Sequence, residues 1–553
     1  MHVMIKSTLL TLLLIISGLA QALEPTEEYI RQYSEAVLEG TDGVLGGERI
    51  AAVMLLPTFY AQRGFQPVWS NPARFQELLE VLRSAEEHGL NPVDYHYPVL
   101  SAWPYGNSPN QQAARDMLAT DALIRFSYHL HLGKIDPVDL DPNWNLTRRL
   151  HNEEPLAVLT RAVAAPSLDA FLATELAPSS PFYRGLRTAL AHYRDLARRG
   201  GWPTVPGGAT LRPGDRDARV PALRTRLSVT DAALAAATDT DAQLFDAALE
   251  DAVNRFQLQH GLDDDGVVGA RTLAAINVPV EARIDQLRVN LERVRWVFRD
   301  QEPRYLIVNI AGYHAYLMDN GAIVWNSRVM VGKPYRQTPV FKSTMTYLVL
   351  NPTWTVPPTI LKNDIIPRIR QNPAYLAENN MVLLDRSGQL LDSSRVDLSS
   401  VSPNYFPYTV RQEPGPKNAL GRIKFMFPNQ HSVYMHDTPS RNLFNRADRS
   451  FSSGCIRVED PFSLATILLD DPQKWDEAKL DERLARAKNE TVRLKNPITV
   501  FLMYWTSEAD GKGDAHFYND VYSRDQDVLK GLQQPFRMSP TRRREGVFEA
   551  AQL

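Results

Sequence analysis

Cysteine is nearly absent: Cys455 is the one cysteine in 553 residues. That excludes an internal disulfide framework and any thiolate cluster for zinc or iron–sulfur. An excess of charge of one sign is also missing. Lys and Arg number 61 against 64 Asp and Glu, a net charge of −3. No strong field therefore points to nucleic acid as a partner. His-Glu-x-x-His does not occur, and the 12 histidines lack zinc-ligand spacing, which argues against a zinc peptidase. Long apolar runs are missing beyond the first twenty-odd residues, so no membrane helix is expected in the mature chain.

What is present starts with a leader pattern. Lys6 is followed by the apolar run Leu9 to Leu19 and by Ala20-Gln21-Ala22, a small-x-small cleavage signal. Residues 1–22 therefore read as a signal peptide cut near Ala22, with a retained anchor as the alternative. The mature protein is expected outside the cytoplasm. The length predicts two to four domains, and 44% apolar residues suffice for real cores.

Residues 24–202 read as helical. Apolar spacing predicts helices over 74–88, ending at Gly89, and over 116–132, ending at Gly133, with two more at 167–176 and 181–199. His129 and His131 point about 200° apart on a helix, so they do not converge on a metal. The Pro- and Gly-rich stretch Trp202 to Pro213 reads as a boundary. Three short helices follow, at 220–227, 244–260 and 270–277, with the tight loop Gly261 to Gly269 between the last two. The aspartates Asp263, Asp264 and Asp265 lack EF-hand spacing. The words Ala252-Val253-Asn254-Arg255-Phe256-Gln257, Gly261-Leu262, Asp265-Gly266 and Val268-Gly269 resemble the peptidoglycan-binding-domain-1 family. That resemblance covers 211–278 and implies a three-helix wall-binding module.

Next comes a connecting helix, 281–300, with Ile284, Leu287, Leu291 and Val294 on one face and arginines on the other. From 303 the period changes to that of strands. Strands are expected over 305–310, 314–318, 322–331, 345–350, 432–435 and 498–505. Asp319-Asn320-Gly321 is a hairpin signal. Residues 303–505 thus read as a mainly β domain. The stretch 354–405 reads as an insertion of short helices that serves as a lid. Residues 506–553 read as a C-terminal extension, disordered beyond Pro535.

The chemistry centres on Phe451-Ser452-Ser453-Gly454-Cys455-Ile456-Arg457. A polar-flanked, unpaired cysteine in an exported chain reads as a nucleophile, and Arg457 favours its thiolate. A thiol nucleophile needs a base. In Ser432-Val433-Tyr434-Met435-His436, read as a strand, Tyr434 and His436 share one face and Val433 and Met435 the other. His436 is the candidate base, with His431 and His314 as weaker ones.

His436-Asp437-Thr438-Pro439, followed by Ser453-Gly454-Cys455-Ile456-Arg457, resembles the signature of the L,D-transpeptidase (YkuD) catalytic domain. Many members carry histidine where this chain has Ser453, which leaves His436 as sole base. The order of scaffold, wall-binding module and catalytic domain resembles the large periplasmic L,D-transpeptidases of Gram-negative bacteria. The resemblance implies a cysteine acyltransferase of peptidoglycan stems, inhibited covalently by carbapenems. Cys455 would attack the diaminopimelate carbonyl of a tetrapeptide donor and release D-alanine. A second stem's diaminopimelate amine would then form a 3→3 cross-link. Water as acceptor gives a carboxypeptidase, and a lipoprotein gives an anchoring enzyme. A non-catalytic wall binder is the reading from another class. Gly454, Ser453 and Tyr434 are expected around the oxyanion, Arg457 near a stem carboxylate, and Trp354 in the donor cleft. Neither a metal nor an organic cofactor is implied. Other wall-synthesis proteins are possible partners; nucleic acid is not.

Overall fold

A computed structural model describes residues 23–536, apart from 41–42, 105, 143, 147–153, 239–240, 298–301, 394–395 and 398–405. The expected signal peptide, the Tyr405 boundary and the arginine-rich tail lie outside the described residues.

The N-terminal region is helical, and its helix ends follow from their caps. Helix α1 (Pro72–Arg83) starts at Asn71, whose side chain accepts the Ala73 N–H. It runs on as a tight turn to His88 and stops at Gly89, φ 74°. Helix α2 (Pro109–Leu132) begins earlier than the apolar spacing predicts, because Ser108 and Gln111 form a capping box. Helix α3 spans Pro181–Arg198.

Helices α4 (Val220–Ser228), α5 (Ala247–Gln259) and α6 (Ala270–Ile276) form the small module. Val220, Leu223, Leu249, Val253, Phe256 and Ile276 give it a core of its own. The acidic loop is used structurally. Asp265 accepts from the Gln257 amide and the Val267 N–H.

Helix α7 spans Val280–Arg295. Its polar face is buried as well as its apolar one: Arg283, Asn290, Glu292, Arg293 and Arg295 are all buried. The reason is its position, packed against α3 and the C-terminal segment. Arg295 pairs with Glu292 at 2.7 Å and donates to the His88 carbonyl and the Tyr183 hydroxyl. Glu292 also accepts the Ile135 N–H. A buried pair is tolerable when its remaining groups are satisfied in this way.

The C-terminal half is built on strands β1 (Arg304–Asn309), β2 (His314–Asp319), β3 (Ala322–Gly332) and β4 (Phe341–Leu350). The β2–β3 hairpin turns at Asn320 (φ 49°) and Gly321 (φ 82°), the positive-φ pair that the Asp-Asn-Gly signal predicts. An insertion supplies β5 (Trp354–Thr355), β6 (Met381–Leu384), β7 (Leu390–Leu391) and β8 (Thr409–Gln412). Then come β9 (Ile423–Met426), β10 (Met435–His436), β11 (Ser450–Ser452), β12 (Ile456–Val458) and β13 (Glu490–Met503). The large sheet runs β11-β3-β12-β10-β9-β4-β13-β1-β2, and β2 also pairs with β3. The sheet therefore closes on itself as a barrel.

Two strand expectations change. The expected strand over 432–435 shrinks to Met435–His436. Ser432 has φ 55°, and the Asn429 side chain occupies the His431 and Val433 N–H groups. The insertion is more than short helices. Its strands form a four-stranded sheet, β5-β8-β6-β7, extending to Gln412. Ile365, Ile366, Ile369, Leu376, Leu383 and Val410 give it a separate core. Its strands are too short to show a period in sequence.

Residues 506–536 are built into the fold rather than trailing from it. Strands β14 (Ser507–Ala509) and β15 (Ala515–Phe517) pair, and helix α8 (Asp525–Gln533) packs on α7. The Tyr522 hydroxyl donates to the Gly332 carbonyl and accepts the Thr338 N–H. Among the described residues no helix is long and apolar enough to cross a membrane.

Candidate active site

Strand register assembles the site. β10 and β12 run parallel, with Met435 beside Ile456 and His436 beside Arg457. The Ile456 N–H donates to the Tyr434 carbonyl at 3.0 Å, which sets Tyr434 beside Cys455. β9 joins antiparallel on the other side, with Lys424 opposite His436. Side chains alternate along each strand. Phe425, Met435, Ile456 and Val458 point inward and are fully buried. Lys424, Tyr434, His436, Cys455 and Arg457 therefore share the outer face. Lys424, His436 and Arg457 form one row across three strands. Tyr434 and Cys455 form the next.

The cysteine loop is held by groups on its own and adjoining segments. Gly454 has φ +115°, a conformation that disfavours any side chain there. The Ser452 hydroxyl accepts the Gly454 N–H at 3.0 Å and donates to the Cys455 carbonyl at 2.6 Å. Thr338 donates to the Gly454 carbonyl. The Gly454 N–H is thus already engaged. The Cys455 N–H has no hydrogen-bond partner among the described residues. Ser453 accepts from Arg336, and Arg336 also pairs with Asp364 of the insertion at 2.7 Å.

The Tyr434 hydroxyl faces both the Cys455 thiol, which raises its pKa, and the Trp354 indole, which lowers it. Trp354, the first residue of β5, therefore puts the root of the insertion beside Tyr434. The Lys424 ammonium lies 3.9 Å from the Tyr434 ring centroid. Burial pushes the Cys455 thiol up; the bonds from Tyr434 and the charges of Lys424 and Arg457 pull the other way.

His436 is buried, and its Nδ1 lies 2.5 Å from the Asp437 carbonyl. A carbonyl only accepts, so Nδ1 carries the proton and Nε2 keeps the lone pair. Burial, and after it the charge of Arg457, lower the imidazole pKa to about 3. His436 pairs with Arg457, two residues beyond Cys455 on the adjacent strand, which sets the His436 and Cys455 backbones roughly 8 Å apart. Among the described residues no hydrogen bond joins them; the thiol's side-chain contacts are Tyr434 and, at 4.0 Å, the Ser432 carbonyl.

The other histidines are elsewhere. His431 packs on Phe341 and lines a separate cavity of about 400 Å³ with Trp144 and Trp296. His314 Nδ1 donates to the Gly312 carbonyl, the ring stacks on Tyr316, and its pKa is lowered by burial to about 4. The structure thus brings together Cys455, His436, Tyr434, Arg457, Trp354, Gly454 and Ser453. Sequence reading missed Lys424 and Ser452. Lys424 had a signal in retrospect, the alternation of Ile423-Lys424-Phe425 on an otherwise apolar strand.

Three segments match known domain families. Residues 55–190 match "Scaffold domain", 217–276 match "Putative peptidoglycan binding domain", and 303–476 match "L,D-transpeptidase catalytic domain". A curated protein of Haemophilus influenzae described as "Putative L,D-transpeptidase" is 36% identical over 252 residues. The match covers 45% of this chain and 50% of that protein, so the chain spans about half the length of its relative. Among solved structures, an L,D-transpeptidase from Xylanimonas cellulosilytica is 14% identical, with 54% of this chain and 98% of that one covered and a TM-score of 0.18. One from Stackebrandtia nassauensis is 13% identical, with 54% and 96% covered and a TM-score of 0.21.

Proposed function

We propose that this chain, which carries an L,D-transpeptidase catalytic domain beside a scaffold and a peptidoglycan-binding domain, forms 3→3 cross-links in peptidoglycan. The observation that carries the reading is the placement of the single thiol on the outer barrel face, between a tyrosine hydroxyl and a row holding His436 and two cations.

Cys455 Sγ attacks the carbonyl of diaminopimelate in a tetrapeptide stem. Its proton passes to His436 Nε2 and then to the departing amine of D-alanine. A thioester remains. The side-chain amine of a second diaminopimelate attacks it, gives its proton to His436 and expels the thiolate, which is reprotonated. The oxyanion is held by the Cys455 N–H and the Tyr434 O–H, a two-donor arrangement. Ser452 is a positioning residue, because its hydroxyl shapes the loop without reaching the thiol. The free thiol and imidazole are both neutral here, so the proton transfer is completed only as substrate closes the gap between them.

We take the functional units to be 24–202, 211–278, the connecting helix 281–300 and 303–505, with the insertion as a lid over the cysteine cleft. Substrates of this kind place the protein outside the cytoplasm, in the periplasm after removal of 1–22. Incubation with purified disaccharide-tetrapeptide tests the reading. A cross-linked dimer that has lost one D-alanine supports it, and Cys455→Ala must abolish that product. A tripeptide alone would replace it with a carboxypeptidase, and no product would leave a wall-binding protein.

A further inference from the structure

Most cations around the site are paired. Arg441 binds Asp437, Arg328 binds Glu459, and Arg422 lies near Asp481. Lys424 and Arg457 differ. Among the described residues neither has an ion pair or a side-chain hydrogen bond, and the Arg457 Nε is buried without a partner. Lys424 rests only on the face of Tyr434. Asp437, next to His436 in the chain, is taken by Arg441 and the Arg422 N–H, and Glu459, two residues from Arg457, is taken by Arg328.

A half-buried guanidinium whose buried Nε has no partner is costly unless something else completes it. Two of these cations flank His436 in one row, on the face that carries the thiol. Their backbones are two strand spacings apart, roughly 10 Å, a gap that two long side chains can bridge through one carboxylate. The row is one register step from Cys455. In the donor, the terminal carboxylate carbon is separated from the attacked carbonyl carbon by one nitrogen and one Cα, a span of at most about 4 Å. A carbonyl at the thiol, with the stem's end directed along β12 towards Arg457, thus brings that carboxylate within reach of the row's long side chains.

We infer that Lys424 and Arg457 form a clamp for the terminal carboxylate of the leaving residue, so that donors are stems ending one residue beyond the attacked carbonyl. The inference rests on the transpeptidase reading above and extends it to donor specificity. Longer stems carry their carboxylate past the clamp, and an amidated terminus offers no charge to it. Filling the clamp also offsets the Arg457 charge that disfavours a proton on His436, which couples correct binding to base strength.

The test uses the full chain and disaccharide-tetrapeptides with a free or an amidated D-alanine terminus. Wild type should prefer the free acid by on the order of 10- to 100-fold in kcat/KM, the range for a charge-assisted contact. Lys424→Met and Arg457→Met should each compress that ratio towards one, mainly through KM for the acid, and Arg457→Lys should restore part of it. Retained iodoacetamide labelling of Cys455 shows that each variant is folded around an accessible thiol. Equal use of acid and amide by wild type, or an unchanged ratio in both Met variants, overturns the clamp while leaving the transpeptidase reading intact. A stem amidated at the diaminopimelate side-chain carboxylate is the third substrate. If that change, and not the D-alaninamide, costs the 10- to 100-fold, the clamp belongs to the other carboxylate and the inference is wrong. No turnover of any stem would remove the transpeptidase reading and the clamp with it.

Discussion

At the scale of single residues, the thiol and the imidazole are both held neutral, and by the same cause. Burial disfavours the thiolate at Cys455 and the imidazolium at His436 alike. The thiolate is the reactive species, so alkylation of Cys455 by iodoacetamide should climb with pH and level off only above pH 9. No histidine inflection is expected between pH 5 and 8, because His436 stays neutral down to about 3. Lys424→Met removes a cation that favours the thiolate and should move the plateau to higher pH; a plateau near pH 7 in wild type would contradict the burial argument. His436→Gln should slow acylation by substrate by about two to four orders of magnitude, the usual worth of a positioned base. A variant acylated at the wild-type rate would move the role to another group. Cys455, His436, Tyr434 and Arg457 were legible because the motif residues flank one another in sequence or alternate on a single short strand. Lys424 was not, since only the antiparallel register of β9 and β10 brings it beside His436. Ser452 was hidden because its part is a pair of local bonds, 452 to 454 and 452 to 455, that leave no periodic trace.

At the scale of elements, the insertion was legible as an interruption but not as a folded unit. Prolines at 352, 357 and 358 mark its start, whereas strands of two to four residues carry no readable period. Its core is separate from the barrel's, so it is able to move as one body about its roots. Two ties hold it to the site: the Trp354 indole on Tyr434, and Arg336 bridging Asp364 and Ser453. Both ties end on residues beside Cys455, Tyr434 and Ser453. A lid of this design exchanges amide hydrogens at its roots, near Asn351 and Asn418, faster than in its own sheet. Acylation of Cys455 should slow exchange at those roots, and Asp364→Ala should speed it in the free enzyme. Roots equally protected before and after acylation would mean a static decoration.

At the scale of the whole molecule, the helical region and the barrel share one continuous core, while the small module and the insertion have their own. The sequence marks the segments, through linker composition and the change of period, but not this fusion. Helix α7 makes the fusion, and its buried arginines are why the sequence does not show it: spacing puts them on one face but does not name their partners on other segments. Glu292 is the joint. It pairs with Arg295, accepts the Ile135 N–H from the helical region, and accepts from the Trp296 indole. Glu292→Ala leaves Arg295 as an uncompensated buried charge and should cost about 3–5 kcal/mol. Because the core is shared, calorimetry should show the main transition falling as a whole, helical region and barrel together, with the module's melting little changed. Replacing both partners, Glu292→Leu with Arg295→Met, removes the stranded charge and should recover much of the loss. Two resolved transitions in wild type, or a Glu292→Ala effect confined to the helical region, would mean that the barrel holding Cys455 folds independently of its scaffold.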